Sequence, residues 1–273
     1  MSKAFKPRRS ALYVPAANAR ALEKARGLAA DVVILDLEDA VAPEEKERAR
    51  DTAARMLGNY TPREVVIRVN GAGTPWHDAD MAAAAAARPS AILLPKLMGP
   101  EDLIVAKTRA KGVPLWAMIE TPRSLFNALA IADAGADCLL LGSNDMQHAM
   151  EARPQPDRAN LQTAMSLCVL AARAAGISVL DGVHNDLDDM AAFRSACVMA
   201  RDFGFDGKGV IHPSQIEIAN AAFSPTPEDI AYARRVLAAF AAQPGKGVIT
   251  LDRRMLEALD ANIAARILAR AGL

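Results

Sequence analysis

The stretch DVVILDLEDAV, Asp31 to Val41, sets two opposed tendencies side by side. Val32 to Leu35 form a continuous apolar run of the kind found in a strand buried on both faces, which is the signature of a parallel sheet. That run leads straight into Asp36, Glu38 and Asp39. Charged groups are almost never fully buried unless they are paired or bound to something. The strand therefore ends where charge has work to do.

Seven further segments share the apolar character of this one. With it they are Ser10–Ala16, Asp31–Asp39, Glu64–Asn70, Ala91–Leu97, Pro114–Glu120, Asp137–Asp145, Ile177–Val183 and Gly207–Pro213. Between them lie Ala-rich stretches of helical character. Pro43–Leu57 opens with Pro and acidic residues, as a helix N-terminus prefers, and Asp157–Gly176 and Asp186–Gly204 run into a Gly stop. Apolar strands alternating with helices predict an α/β protein with a parallel sheet covered on both faces. Eight such units fit a closed (β/α)8 TIM barrel, for which about 250 residues is typical. An open doubly wound sheet is the alternative, but no Gly-x-Gly-x-x-Gly follows the first strand, which argues against its dinucleotide-binding form.

Length and composition agree with this reading. A chain of 273 residues that is 52% hydrophobic can bury one large core. Residues 1–243 are read as the barrel domain. The Pro-Gly-Lys-Gly turn at 244–247 breaks the pattern, so residues 244–273 are read as a C-terminal arm or lid. Lys plus Arg and Asp plus Glu both number 32, giving a net charge of zero and no electrostatic footprint for nucleic acid or an anionic membrane. Cys138, Cys168 and Cys197 sit singly among apolar neighbours and read as reduced core thiols. The basic N-terminal stretch is followed by too short an apolar run for a signal peptide or a membrane span, and a cytoplasmic location is expected.

In a parallel barrel, chemistry collects at the C-terminal ends of the strands. Those ends carry Asp36, Glu38 and Asp39, then Arg68 and Asn70, Lys96, Glu120, Asp145, Asp181 and His184, and Lys208 and His212. Crowded carboxylates raise one another's pKa unless a cation lies between them, and hard oxygen donors without Cys or paired His favour Mg²⁺. The bland alternative is a ring of salt bridges to Arg68, Lys96 and Lys208, with Glu38 or Asp39 capping the next helix and Asp36 structural. A guanidinium at Arg68 can grip a carboxylate with two parallel hydrogen bonds. Lys96 invites a Schiff-base reading, but a lysine among so many carboxylates should keep its proton. His77 and His148 read as surface or loop residues.

Taken in order from Arg9 to Asp229, the strings RSALYVPA, ADVVILDLEDAVAPEEKERAR, VIRVN, LLPK, IETP, LGSNDM, GFDGKGVIHPSQI and FSPTPEDI resemble the citrate lyase beta-subunit family. That family lies within the HpcH/HpaI aldolase superfamily, alongside malyl-CoA and citramalyl-CoA lyases. The resemblance implies a TIM barrel, a homotrimer or hexamer, that binds Mg²⁺ and acts on acyl thioesters. Carried onto this sequence, it makes Arg68 a substrate contact and catalytic residue, Glu120 a metal ligand close to substrate, and Asp145 the second metal ligand. Glu38 and Asp39 would hold metal-bound waters, and Arg9 and Lys208 would lie toward the thioester and phosphate side of the substrate.

In the CoA-lyase relatives a C-terminal lid supplies a catalytic acid to a neighbouring subunit from a Met-Ile-Asp-like sequence. The corresponding stretch here is RRMLEALD, which puts Glu257 where Asp is expected. The activity implied is a Mg²⁺-dependent carbon–carbon lyase on a small 3-hydroxyacyl-CoA thioester. Two rivals accompany it: a metal-dependent aldolase on a free 2-oxo acid, and a citrate lyase subunit that takes its substrate from an acyl carrier protein.

Overall fold

The computed structural model describes residues 6–273, so the first five residues of the basic N-terminal stretch lie outside it. Eight parallel strands close into a barrel in chain order. They are β1 (Ser10–Pro15), β2 (Val32–Asp36), β3 (Glu64–Arg68), β4 (Ala91–Leu94), β5 (Leu115–Ile119), β6 (Cys138–Leu141), β7 (Ser178–Asp181) and β8 (Gly207–Val210), with β8 pairing back onto β1. All eight expected strands are present; each ends earlier than its expected range, though Asp36, Arg68, Asp181 and Lys208 lie within β2, β3, β7 and β8. The largest difference is at β6, where Ser143–Ala149 is a helix and Asp145 lies in its first turn. Ser, Asn and Asp favour helix starts over strand interiors, because their side chains compete for local backbone groups.

Strand alternation divides the buried residues into two sets. Ile34, Val66, Met118 and Leu140 belong to the cluster inside the barrel, while Leu35, Ile67, Ile119 and Leu141 pack outward against the helices. The same alternation carries Asp36, Arg68, Glu120 and Gly142 onto the inner columns at the C-terminal mouth. The opposite end is closed by ion pairs. Arg9 pairs with Asp31 at 2.7 Å, Arg8 pairs with Glu64 at 2.8 Å, and the Arg8 guanidinium stacks over Trp116. Arg9 therefore stands at the N-terminal ends of the strands, away from the mouth where it was expected to meet substrate.

Lys208 is displaced in a different sense. Gly207 and Gly209 flank it on β8. An added Cβ at Gly209 would come within 3.3 Å of the Tyr13 ring, which marks the glycine columns as inward and Lys208 as outward. Its register partner on β7 is Asp181, which also faces the helices because Leu180 faces in. The two side chains pair there, and Arg158 adds hydrogen bonds of 2.7 and 2.8 Å to Asp181. Lys208 is thus the buried counter-ion of Asp181 and makes no part of the mouth.

The chain divides into two compact units, and the boundary falls at Phe223 and Ser224 rather than at 243 and 244. The helix Pro227–Ala241, read from sequence as part of the barrel, packs instead within the second unit. There Ala233 and Val236 form a core with Ile249, Leu256 and Ala264. That unit also holds a hairpin the sequence did not reveal, β9 (Val248–Leu251) with β10 (Arg254–Glu257), followed by the helix Ala258–Arg270. Its two-residue turn, Asp252-Arg253, has positive φ at both positions, as a primed hairpin turn requires. No helix among the described residues is long and apolar enough to cross a membrane.

Burial alone would raise the Asp181 carboxyl, but the charges of Lys208 and Arg158 overcome it and hold the group down at about 2. Because the folded value lies below the ordinary one, this contribution to stability is present at neutral pH and is lost as the pH falls from about 4 toward 2. Asp181→Asn should cost about 3–5 kcal/mol at pH 7 by leaving two buried cations uncompensated. Urea denaturation of both proteins tests this, and an undiminished gap at pH 2.5 would contradict the electrostatic origin.

Candidate active site

Asp36 and Arg68 occupy directly paired positions on β2 and β3. This register lets Arg68 donate from Nε and Nη2 to the two Asp36 oxygens, at 2.7 Å each, in a fork that is nearly sealed from water. The two parallel hydrogen bonds expected to grip a substrate are therefore spent on Asp36. The remaining nitrogen, Nη1, faces the acidic loop: Glu38 Oε2 lies at 2.9 Å and Asp39 Oδ2 at 3.3 Å. Tyr13 stacks against the guanidinium, 5.0 Å from ring centre to Cζ, and burial pushes its phenol well up, which keeps it neutral. Tyr13 was not singled out from sequence, because an aromatic in an apolar strand gives no sign of facing a cavity.

Glu120 follows β5, and Thr121 caps the short helix Pro122–Phe126 that comes next, so the IETP string is a strand end joined to a capped helix start. Its carboxylate reaches inward against Gly142, where a Cβ would stand 2.4 Å from Glu120 Cβ and 2.8 Å from Oε2. Only glycine leaves room for that carboxylate. Oε1 accepts from the backbone N–H of Lys96, which sits in the left-handed region with φ of 56°. A non-glycine residue held there signals a conformation fixed by its surroundings. Oε2 is buried and, among the described residues, has no hydrogen-bond partner; Lys96 Nζ lies at 3.7 Å.

Lys96 Nζ also pairs with Asp145, so one ammonium lies between the two carboxylates that sequence had set apart as ligands. Burial works against the charge of Lys96, but the hydrogen bond to Asp145 and the charges of Glu120 and Asp145 outweigh it and hold the amine above the usual lysine range. This matches the argument against a Schiff base. Asp145, Arg68, Tyr13, Asp36, Asp39 and Ser143 line a cavity of about 330 Å³ at the barrel mouth. The sequence-derived residues thus separate cleanly. Arg68, Glu120, Asp145, Glu38 and Asp39 converge; Arg9 and Lys208 do not; Glu257 lies in the second unit, exposed at the end of β10. His212 is exposed and bonds to Ser214.

The donor set fits a hard divalent cation. Asp36, Glu38, Asp39, Glu120 and Asp145 share two ion-pair partners, Arg68 and Lys96. Among the described residues, one buried oxygen of Glu120 has no hydrogen-bond partner, and the Asp145 carboxylate across Lys96 is half-exposed. Among the described residues no three His, Cys, Asp or Glu side chains gather as a complete cage. Two carboxylates with the remaining positions left to water and substrate is the usual protein share of a Mg²⁺ site. The strain of the crowding falls on the acids themselves. Burial pushes Glu120 above the ordinary carboxylate range, and burial, aided by Asp39 and Glu120 and opposed by Arg68, pushes Glu38 up to about 8.

The chain is similar to known proteins over most of its length. The family model for HpcH/HpaI aldolase/citrate lyase matches residues 9–213. The (3S)-malyl-CoA thioesterase of Cereibacter sphaeroides strain KD131 is 45% identical over 97% of this chain and 95% of its own. The citrate lyase subunit beta of Leuconostoc mesenteroides subsp. cremoris is 34% identical over 92% of this chain and 88% of its own. The crystal structure of CitE from Mycobacterium tuberculosis, in complex with magnesium, acetoacetate and coenzyme A, superposes with a TM-score of 0.82 at 32% identity, covering 98% of both chains.

In metal-free protein the folded state holds the Glu38 proton more tightly than the unfolded chain does. The benefit is complete below about 4.5 and is lost as the pH rises toward 8. Glu38→Gln should therefore stabilise the EDTA-treated protein at pH 8 by at least about 1 kcal/mol, and leave it little changed at pH 4.5. Urea denaturation at the two pH values measures the difference, and equal shifts at both would refute the assignment.

Proposed function

Because the chain belongs to the HpcH/HpaI aldolase/citrate lyase family, we propose that it is a Mg²⁺-dependent enzyme that cleaves or forms a carbon–carbon bond in the CoA thioester of a small 3-hydroxy acid. The observation that carries this reading is the unpartnered oxygen of Glu120, buried beside Asp145 in a mouth short of positive charge. Glu120 and Asp145 would hold the ion, and Glu38 and Asp39 the waters around it. When bound, the ion would supply Lewis-acid stabilisation of the charge that develops on the oxo-acid oxygens.

The rest falls to the protein. Arg68, locked by Asp36, presents Nη1 as a fixed positive edge for the substrate carboxylate and loses no freedom when substrate arrives. In the cleavage direction the 3-hydroxyl passes its proton to solvent water, the C2–C3 bond breaks with its electron pair left on C2 to give a 2-oxo acid, and the enolate of the shorter thioester takes up a proton at C2. Glu257 is assigned as the donor of that proton, acting in the site of a neighbouring copy within a homotrimer or hexamer. Its exposed position at the start of the helix Ala258–Arg270 is compatible with such a role.

A second reading, hydrolysis of the same thioester, is favoured by the 45% identity to the malyl-CoA thioesterase. The two differ in products. With malyl-CoA or citramalyl-CoA and Mg²⁺, carbon–carbon cleavage should yield a 2-oxo acid and a shorter acyl-CoA, whereas hydrolysis should yield free CoA thiol without an oxo acid. EDTA or Glu120→Gln should lower turnover by about 10²-fold or more, since loss of the Lewis acid costs several kcal/mol of transition-state stabilisation. Turnover that ignores both treatments would reject the metal-dependent reading. Glu257→Asp should retain activity and Glu257→Ala should lose it; an active alanine variant would remove Glu257 from the chemistry.

A further inference from the structure

Lys46 carries a charge that the chemistry above leaves unused. It opens the helix Lys46–Met56, yet its side chain turns inward and only 5% of the residue is exposed. Nζ donates to the carbonyl oxygens of Leu37, at 2.8 Å, and Glu38, at 2.7 Å, and lies 5.3 Å from the centre of the Trp76 ring. Among the described residues no carboxylate pairs with it at ion-pair distance. Its direct partners are two carbonyls and an aromatic face, and it borders a polar cavity of about 320 Å³ shared with Glu38, Asp39, Asn70, Thr74 and Lys96, with the charges of Asp36 and Asp80 farther off.

The two carbonyls belong to the acidic loop itself. Leu37 O receives a second hydrogen bond from Asn70 Nδ2 at 2.9 Å, Leu37 N donates to Arg68 O at 2.9 Å, and Glu38 N donates to Asp36 Oδ1 at 2.9 Å. All four backbone polar atoms between Asp36 and Asp39 are thus held, the N–H groups from the β2–β3 side and the carbonyls by Lys46 together with Asn70 Nδ2 and Val41 N, which donates to Glu38 O at 3.0 Å. With its peptides fixed in this way, the loop sets the Glu38 and Asp39 carboxylates against Arg68 Nη1. The acids around it offset part of the cost of burying this ammonium, but its hydrogen bonds go to backbone carbonyls and not to any of those carboxylates, so what it fixes directly is the path of the loop.

We infer that Lys46 is a positioning residue: through the carbonyls of Leu37 and Glu38 it sets the direction of the two loop carboxylates at the reaction cavity. It acts at one remove from the substrate. The kinetic part of the test rests on the thioester reading above, and the structural part does not.

The decisive variant is Lys46→Met, examined alongside Trp76→Leu, which keeps the ammonium but removes the aromatic face beneath it. Hydrogen–deuterium exchange of metal-free protein should show the amides of residues 36–41 exchanging about tenfold faster in Lys46→Met. The melting temperature should be unchanged or raised and the rest of the barrel unaffected. Trp76→Leu should give a smaller increase in the same segment, and it carries the test should Lys46→Met fail to fold. With malyl-CoA and Mg²⁺, Lys46→Met should lower kcat by about 10²-fold with little change in KM for the thioester.

Unchanged exchange at residues 36–41 would overturn the inference. So would faster exchange spread over the whole barrel with a lowered melting temperature, since that is the mark of a merely structural residue. If the unaltered protein turns over no thioester, the function proposed above fails, and the exchange result alone decides the role of Lys46.

Discussion

The fork between Arg68 and Asp36 is the constraint on which the mouth of this barrel depends. It arises from register, since β2 and β3 set the two residues opposite one another at the last paired position on their inner columns. With two nitrogens bound, the guanidinium cannot turn, and its third nitrogen becomes a fixed edge that the Glu38–Asp39 loop and the Tyr13 ring are built around. Breaking a buried pair of this kind leaves an uncompensated charge, which costs far more than the pair itself contributes. The same rigidity is what the proposed role of Arg68 would draw on, because a charge that does not reorganise stabilises a developing charge without loss.

Around that fixed edge the molecule tolerates electrostatic stress that a purely structural mouth would avoid. The distribution of stress is uneven. At the helix-facing side of β7 and β8, Asp181 is fully matched by Lys208 and Arg158 and is driven toward its ionised form. At the mouth, Glu38 and Glu120 are buried with too little counter-charge and driven toward their neutral form. The barrel thus holds two buried acid clusters shifted in opposite directions, one matched by its own cations and one not. This contrast fits relatives such as the M. tuberculosis CitE complex, which holds magnesium together with acetoacetate and coenzyme A.

Much of the fold was legible in the sequence because each strand is a continuous apolar run with a helix after it, and that alternation leaves few topologies. The convergence of Arg68, Glu120, Asp145, Glu38 and Asp39 was legible for a related reason: polar residues at strand ends of a parallel barrel can only meet at its mouth. Failures came where the face of the strand decides. Lys208 sits between two glycines, and no rule of composition says that the glycines point in and the lysine out. Arg9 precedes β1 rather than following it, so the resemblance placed it at the wrong end. The β9–β10 hairpin was missed because Asp252 and Arg253 adopt a turn that sequence signals assign to Asn and Gly. Nothing in the sequence singles out Lys46, since its inward turn depends on carbonyls that only the folded loop presents.

The Lys96 ammonium rests between Glu120 and Asp145, so those two acids are spanned by a charge that the chain itself carries. That charge sits at the tip of a half-exposed side chain on a loop, not on a strand, so a competing cation would face a single movable arm and not the frame of the barrel.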